Sequence, residues 1–195
     1  EKTALAEAEI EYQDHTSVTI YARFAVKTPS HPALEGANII IWTTTPWTMP
    51  GNRAMACGAD IDYSVLRITR RGEGALAKDG DVICLATELV DDVTSAISIT
   101  ETETLATLKG TEIAGTISLH PMHGHGYEHD VPMRLADYVT TDQGTGFVHI
   151  APGHGVEDYE LAHLEHGIPL PDTVAEDGKI MDHLPIFAGM HVLRD

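Results

Sequence analysis

Asn38, Ile39, Ile40 and Ile41 form a short apolar run rich in β-branched side chains, and Pro46, Pro50 and Gly51 follow closely behind it. A run of that length and composition reads as a buried strand, and the prolines decide where it must stop. Proline has no N–H to give a ladder, and it biases the residue before it towards extended backbone. The strand therefore ends on Trp42-Thr43-Thr44-Thr45, with Trp47, Thr48 and Asn52 in the broken segment beyond. Alternation places Thr43 and Thr45 on one face and Thr44 on the other. The expected product is a polar shelf with four threonine hydroxyls, a carboxamide and two indoles. Such a shelf suits a small polar ligand held by hydrogen bonds and a stacked ring. The same residues would also make an ordinary strand end whose hydroxyls bond to local backbone.

The rest of the chain is read around that shelf. Residues 10–26 alternate apolar and polar groups about an Asp14-His15-Thr16-Ser17 break, which predicts a hairpin or two short strands with Val18, Ile20, Ala22, Phe24 and Val26 on one face. Strands are expected at 64–69 and 81–85, with a Gly-rich turn between them. Leu89, Val93 and Ile97 recur at the spacing of one helical face, so a helix should run from about 86 to 97. Strands should return over 104–119, with a turn at Gly110, and again over 131–140. Residues 120–130, rich in Gly and His, read as loop. A turn at 143–146 leads into a strand over Phe147-Val148-His149-Ile150. A helix should begin near Val156 and be closed by Gly167. Many short strands with two modest helices predict a mainly β (α+β) domain, a closed or nearly closed β-barrel with peripheral helices.

A second constellation lies where that last strand passes into the helix. A strand-to-helix loop such as Ala151-Pro152-Gly153-His154-Gly155 presents free backbone N–H groups to a carbonyl or phosphate oxygen. Asp158 falls in the first helical turn, where it either complements the helix dipole or pairs with a ligand ammonium. His149 is either a hydrogen-bonded wall residue or a base. The remaining histidines do not assemble a metal site on spacing. His125 and His129 stand four apart, but Gly124, Gly126 and Pro132 oppose the helix that spacing requires. His163-Leu164-Glu165 imitates the start of a deaminase signature that no Pro-Cys-x-x-Cys completes.

Composition limits the partners. The chain has 195 residues with 30 Asp and Glu against 12 Lys and Arg, a formal charge of -18. A protein that grips a duplex through its phosphates needs a basic surface, so this chain is expected at most to accept an end of a nucleic acid held elsewhere. Cys57 and Cys84 are far apart in sequence, which fits a reducing, cytoplasmic setting. No apolar run approaches the ~18 residues needed to span a bilayer, and no signal peptide is recognisable. Residues 1–9 read as polar helix without an N-cap, as expected of a piece cut from a longer protein.

Residues 42–52 together with Gly144-Thr145-Gly146-Phe147-Val148-His149-Ile150-Ala151-Pro152-Gly153-His154-Gly155-Val156-Glu157-Asp158-Tyr159 resemble the editing domain of isoleucyl-tRNA synthetase, the insertion called connective polypeptide 1. Glu11-Tyr12-Gln13-Asp14-His15-Thr16-Ser17, the His120-Pro121 loop, Val131-Pro132 and Ala136-Asp137-Tyr138-Val139-Thr140 fit the same pattern, so the resemblance spans nearly the whole of residues 1–195. Valyl and leucyl relatives carry an Arg-Pro-Glu/Asp-Thr form after the threonines. This chain has Thr45-Pro46-Trp47-Thr48, the isoleucyl form. The His-rich 120–129 loop is the least typical part, and no function is carried into it. His123-Gly124-His125-Gly126 imitates a class I adenylation signature without its register or its βα context, so no aminoacylation is expected.

The resemblance implies hydrolysis of valyl-tRNA(Ile), with valyl-adenylate as a second candidate substrate, in a pocket that excludes isoleucine by crowding one extra methylene. The implied catalytic set is Asp158, Thr45, Asn52 and His149: Asp158 for the α-ammonium, Thr45 and Asn52 for placing the ester, His149 as the wall against isoleucine. Trp42, Thr43, Thr44, Trp47 and Thr48 are implied as substrate-binding, one of the indoles against the adenosine, and Gly153, His154 and Gly155 as backbone contacts. No metal or cofactor is implied, and the reaction would rest on a positioned water. The implied partners are the aminoacylated 3′ end of the tRNA and the rest of the synthetase, with no membrane. Rival readings are a non-catalytic module that docks the acceptor end, a metal-dependent hydrolase built on the His-rich loop, and editing with valyl or leucyl specificity.

Overall fold

The structure is a computed structural model and describes residues 18–192. The predicted break at 14–17 and the helix at 1–9 lie outside the described residues. The apolar run at 38–41 becomes the centre of strand β2 (Ala37–Thr43), which stops at Thr43 as the prolines demand. It pairs antiparallel with β1 (Ile20–Thr28) and parallel with β5 (Val82–Ala86). β5 pairs with β4 (Asp62–Arg71), and β4 with β6 (Ile99–Lys109). On the other side β1 leads through β7 (Ile117–Leu119) to β8 (Asp130–Leu135), then to β3 (Ala54–Cys57) and β9 (Phe147–Ile150).

This is one mixed sheet of nine strands among the described residues, ordered β6-β4-β5-β2-β1-β7-β8-β3-β9, with β6 and β9 as free edges. The sheet is not closed, so the predicted barrel is not borne out: its two edges, β6 and β9, do not pair with each other as closure would need. β2, flanked by β5 and β1, leaves the ladder at Thr43 for a 3₁₀ turn over Pro46–Gly51, and β9 approaches it without pairing.

Strand β3 shows how alternation divides the interior. Its four residues are all buried. Met55 and Cys57 join the main core with Phe24, Ile39, Ile41, Tyr63 and Phe147. Ala54 and Ala56 face a second, smaller core with Ile150, Ala136, Val139, Leu161 and Ala162. β9 lies in register against β3, His149 opposite Met55 and Ile150 opposite Ala54. Residues opposite each other share a face, so His149 turns towards the main-core side and Ile150 towards the second core. That second core holds the segment carrying Asp158, α3 (Val156–Tyr159), which continues as a π-helical stretch over Glu160–Glu165.

Other expectations meet their elements with small shifts. On β1 Phe24 is buried, and Ile20, Ala22 and Val26 pack partly against the core, whereas Val18 is exposed. The helix predicted from 86 forms as a 3₁₀ turn (Thr87–Leu89) followed by α1 (Val90–Ala96), with Leu89, Val93 and Ile97 inward. β6 starts at Ile99, earlier than predicted, because its alternating Thr and Glu residues face solvent and leave no apolar rhythm to read. Residues 110–113 are a helical turn, α2 (Gly110–Ile113). The strand predicted to reach 140 ends at Leu135. Gly167 closes the last helix, with φ +62°. Among the described residues no helix is long and apolar enough to cross a membrane.

Candidate functional site

The shelf, β9 and α3 surround one cleft of about 310 Å³. Thr43, Thr44, Thr45 and Thr48 line one side of it, and His149 and Asp158 are also in its lining, as are Trp42, Ala151 and His154. The threonine shelf and Asp158, far apart in sequence, therefore share one cavity, lined by the end of β2 on one side and β9 on the other.

The four shelf hydroxyls do not play equal parts. Thr43 is buried, and its Oγ1 accepts the Thr45 N–H at 3.1 Å. Thr48 is buried and donates its hydroxyl to the Thr45 carbonyl at 2.8 Å. These two tie the turn to itself, while Thr44 and Thr45 are exposed. The carboxamide and one indole also leave the expected shelf. Asn52 is fully buried and does not line the cleft. Trp47 packs edge-on against His154, ring centroids 5.1 Å apart, and also stays out of the lining.

Asn52 reaches His149 instead. Ala54 O can only accept, so Asn52 presents Nδ2 to it at 2.9 Å, and the other Nδ2 hydrogen meets His149 Nδ1 at 2.7 Å. Thr48 has given its one hydrogen to Thr45 O, so His149 must donate from Nε2 to Thr48 Oγ1, 2.9 Å away. Both ring nitrogens are thereby committed and the Nε2–H tautomer is selected. Burial, reinforced by His120 and His154 nearby, lowers the His149 pKa to about 4. The imidazole meets the cleft as a neutral wall, with no lone pair left for proton transfer.

Asp158 is its opposite. Burial pushes its pKa upward, with Glu157 adding to the rise, and the Ala151 N–H opposes it by donating to Oδ2 at 2.8 Å. That is its one hydrogen bond among the described residues, so a carboxylate with spare acceptor capacity lines the cleft. It folds back over the loop, where a Cβ on Gly155 would stand 3.3 Å from its Cγ. Gly153 is backed in the same way by the Pro171 carbonyl. Neither glycine lines the cleft, and the His154 N–H is spent on Ala151 O at 2.9 Å. The His154 ring pairs with Thr173, and burial lowers its pKa.

The Gly144-Thr145-Gly146 turn closes the cleft's floor. Tyr63 stacks on Phe147, accepts the Gly58 N–H at 3.0 Å and donates to Gly146 O at 2.7 Å. Gly146 has φ +77°, and a Cβ there would stand 2.3 Å from the Ala86 Cβ, so glycine is required. Eight residues of the lining were not among the candidate site residues: Tyr138, Thr140, Gln143, Gly144, Gly146, Phe147, Val148 and Ala151. Tyr138 and Thr140 lay within a recognised motif, but strand alternation was read through them where the chain in fact turns. Among the described residues no group of three or more His, Cys, Asp or Glu stands together as a metal site would need.

Comparison with known proteins follows the same line. No family model matches the chain. The isoleucine-tRNA ligase of Gluconobacter oxydans (strain 621H) is 47% identical over 197 residues, covering all of this chain and 20% of that protein. That of Pelagibacter ubique (strain HTCC1062) is 43% identical over 194 residues, covering all of this chain and 21% of its own length. The chain belongs to the isoleucine-tRNA ligase family. It spans about a fifth of the length of these relatives. Among solved structures, the GlLeuRS-CP1 crystal structure superposes with a TM-score of 0.59 at 15% identity, over 77% of this chain and 63% of that one. The editing domain of P. knowlesi cytosolic leucyl-tRNA synthetase gives a TM-score of 0.57 at 11% identity, over 77% and 64%. The ligase segment thus has the fold of a class I synthetase editing domain.

Proposed function

We propose that this ligase segment hydrolyses the ester of valyl-tRNA(Ile), and accepts valyl-adenylate as the smaller analogue. One observation carries the reading: a single cleft joins exposed threonine hydroxyls, a neutral imidazole wall and a carboxylate with acceptor capacity to spare. An aminoacyl ester offers a matching set of groups. Its α-ammonium seeks an anion, and Asp158 provides one. Its ribose and ester oxygens are hydrogen-bond partners for Thr44 and Thr45, and Trp42 gives the adenosine an apolar surface. The aliphatic side chain is turned to His149. In an apolar pocket one methylene is worth only about 1–3 kcal/mol, so a first selection by binding leaks valine, and a second site that crowds out isoleucine removes it.

Hydrolysis here rests on a water held in line with the ester carbonyl. His149 has no free nitrogen for the proton, which leaves the substrate's own hydroxyl and the Asp158 carboxylate as the groups able to take it. The reading calls on no cofactor. With a formal charge of -18, the segment receives only the 3′ end, and the tRNA body is held by the rest of the synthetase.

The test is deacylation of valyl- and isoleucyl-tRNA(Ile) side by side, with and without a chelator. The expected result is preferential loss of valine, unchanged by chelation. Saturable binding without turnover would leave only a docking module, and loss of activity on chelation would transfer the chemistry to a metal.

A further inference from the structure

The shelf has a second side. The 3₁₀ turn over Pro46–Gly51 contains two prolines and closes with the Asn52 N–H on Met49 O at 3.0 Å. The carbonyls of Met49, Pro50 and Asn52 are also met by residues that do not line the cleft. His120, almost fully buried, donates from Nε2 to Met49 O at 3.0 Å and accepts the Met122 N–H on Nδ1 at 3.2 Å. The Arg53 guanidinium donates to both Pro50 O and Asn52 O, and its Nη1 also lies 3.1 Å from His129 Nε2, itself 2.9 Å from Asn52 O. The rings brace one another. His120 stacks on Tyr127 with centroids 4.9 Å apart, and His129 tilts against it at 5.1 Å.

We infer that His120, with His129 and Arg53, forms a back-side clamp on the carbonyls of Met49, Pro50 and Asn52 that fixes the seat of His149, making His120 a positioning residue for the cleft's neutral wall. The geometry is a relay through one turn. Thr48 and Asn52 send their side chains forward to the two nitrogens of His149, while the carbonyls of residues 49, 50 and 52 are held from behind. A turn free to shift as a unit would release both bonds to His149 together. The His-rich loop thereby acquires a task in which His120 serves as a rigid donor with its hydrogen committed and His129 as a ring that braces it, neither as a ligand. The consequence for selectivity rests on the editing reading, but the effect on the His149 ring does not.

Two readouts test this on the 195-residue chain. The first is the ¹⁵N spectrum of the His149 imidazole, which distinguishes one fixed Nε2–H tautomer from an averaged ring. His120→Phe retains a ring against Tyr127 and removes the donor; it is expected to give an averaged His149 signal. His120→Gln, which can still donate to Met49 O, is expected to restore the single tautomer. The second readout is the ratio of valyl to isoleucyl ester cleavage, expected to fall about tenfold in His120→Phe and to recover in His120→Gln. A folded His120→Phe with the unaltered His149 spectrum overturns the clamp, as does a His120→Gln no better than His120→Phe. If His120→Phe does not fold, His129→Leu replaces it, removing the ring that braces His120 and contacts Arg53 and Asn52 O, with the same expectation. Absence of turnover in the unaltered chain would defeat the editing reading while leaving the imidazole spectrum to decide the clamp.

Discussion

The His149 wall and the Asp158 wall of the cleft are built on opposite principles. His149 is held by Thr48 and Asn52 at both nitrogens, kept neutral by burial, and braced from behind through the turn. Asp158 has one backbone N–H and otherwise faces the cleft as a carboxylate whose ionisation burial makes costly. One wall is finished before any ligand arrives. The other is completed only when a cation enters. A surface that judges size must not yield, whereas a surface that recognises charge gains most when its partner is missing beforehand. The contrast therefore assigns discrimination to His149 and affinity to Asp158.

Breaking the charged wall should have the largest effect. Asp158→Asn retains an acceptor for the Ala151 N–H but loses the charge, and valyl ester hydrolysis is expected to fall about 100-fold, as loss of a charge-assisted bond would give. Because burial raises the pKa of Asp158, the charged form burdens the fold near neutral pH, so the same variant should melt higher. Unchanged turnover, or a lower melting temperature, would break the assignment.

Breaking the neutral wall should alter selectivity more than rate. His149→Ala is expected to raise isoleucyl ester cleavage relative to valyl by about tenfold, the scale of one methylene. Parallel assays of the two esters decide it, and an unmoved ratio removes His149 as the size gate.

Acid sharpens the contrast. His149 and His120 are each lowered to about 4, below the ~6.5 of an unfolded histidine. Between those values the unfolded chain binds protons that the folded chain refuses, so stability drops as pH falls through that window. Each such group contributes up to about 1.4 kcal/mol per pH unit there. Asp158 acts in the opposite sense, since protonating it relieves the fold. Denaturant unfolding at pH 7, 5.5 and 4.5 should therefore show a shallower acid loss in His149→Gln than in the unaltered chain.

The smallest effect belongs to the exposed shelf. Thr44→Val should slow hydrolysis about fivefold, the worth of one neutral hydrogen bond, without changing the melting temperature. Thr43→Val removes the acceptor of the Thr45 N–H and should lower stability as well.

The sequence was most informative where chain chemistry is local. Pro46 and Pro50 end β2, Gly167 ends the last helix, and the Gly-Thr-Gly turn feeds β9, all from residue type alone. The shared cleft of the threonines and Asp158 came through the resemblance, since no spacing rule links positions so distant. What stayed hidden was set by partners. Asn52 looked like a shelf group because nothing in the chain foretells that Ala54 O and His149 would take both its hydrogens. Tyr138 and Gln143 enter the cleft through turns that follow no hydrophobic rhythm. The predicted barrel is not borne out because the edges β6 and β9 stay unpaired, a long-range outcome that no local pattern in the chain fixes.

The most direct trial of the two-wall account is a crystal structure with a non-hydrolysable valyl-adenosine amide. The account predicts the α-ammonium within ~3 Å of the Asp158 carboxylate and the isopropyl group against an unrotated His149 ring still bonded to Thr48 and Asn52. An analogue seated with its ammonium in solvent, or with His149 swung away from that seat, would contradict it.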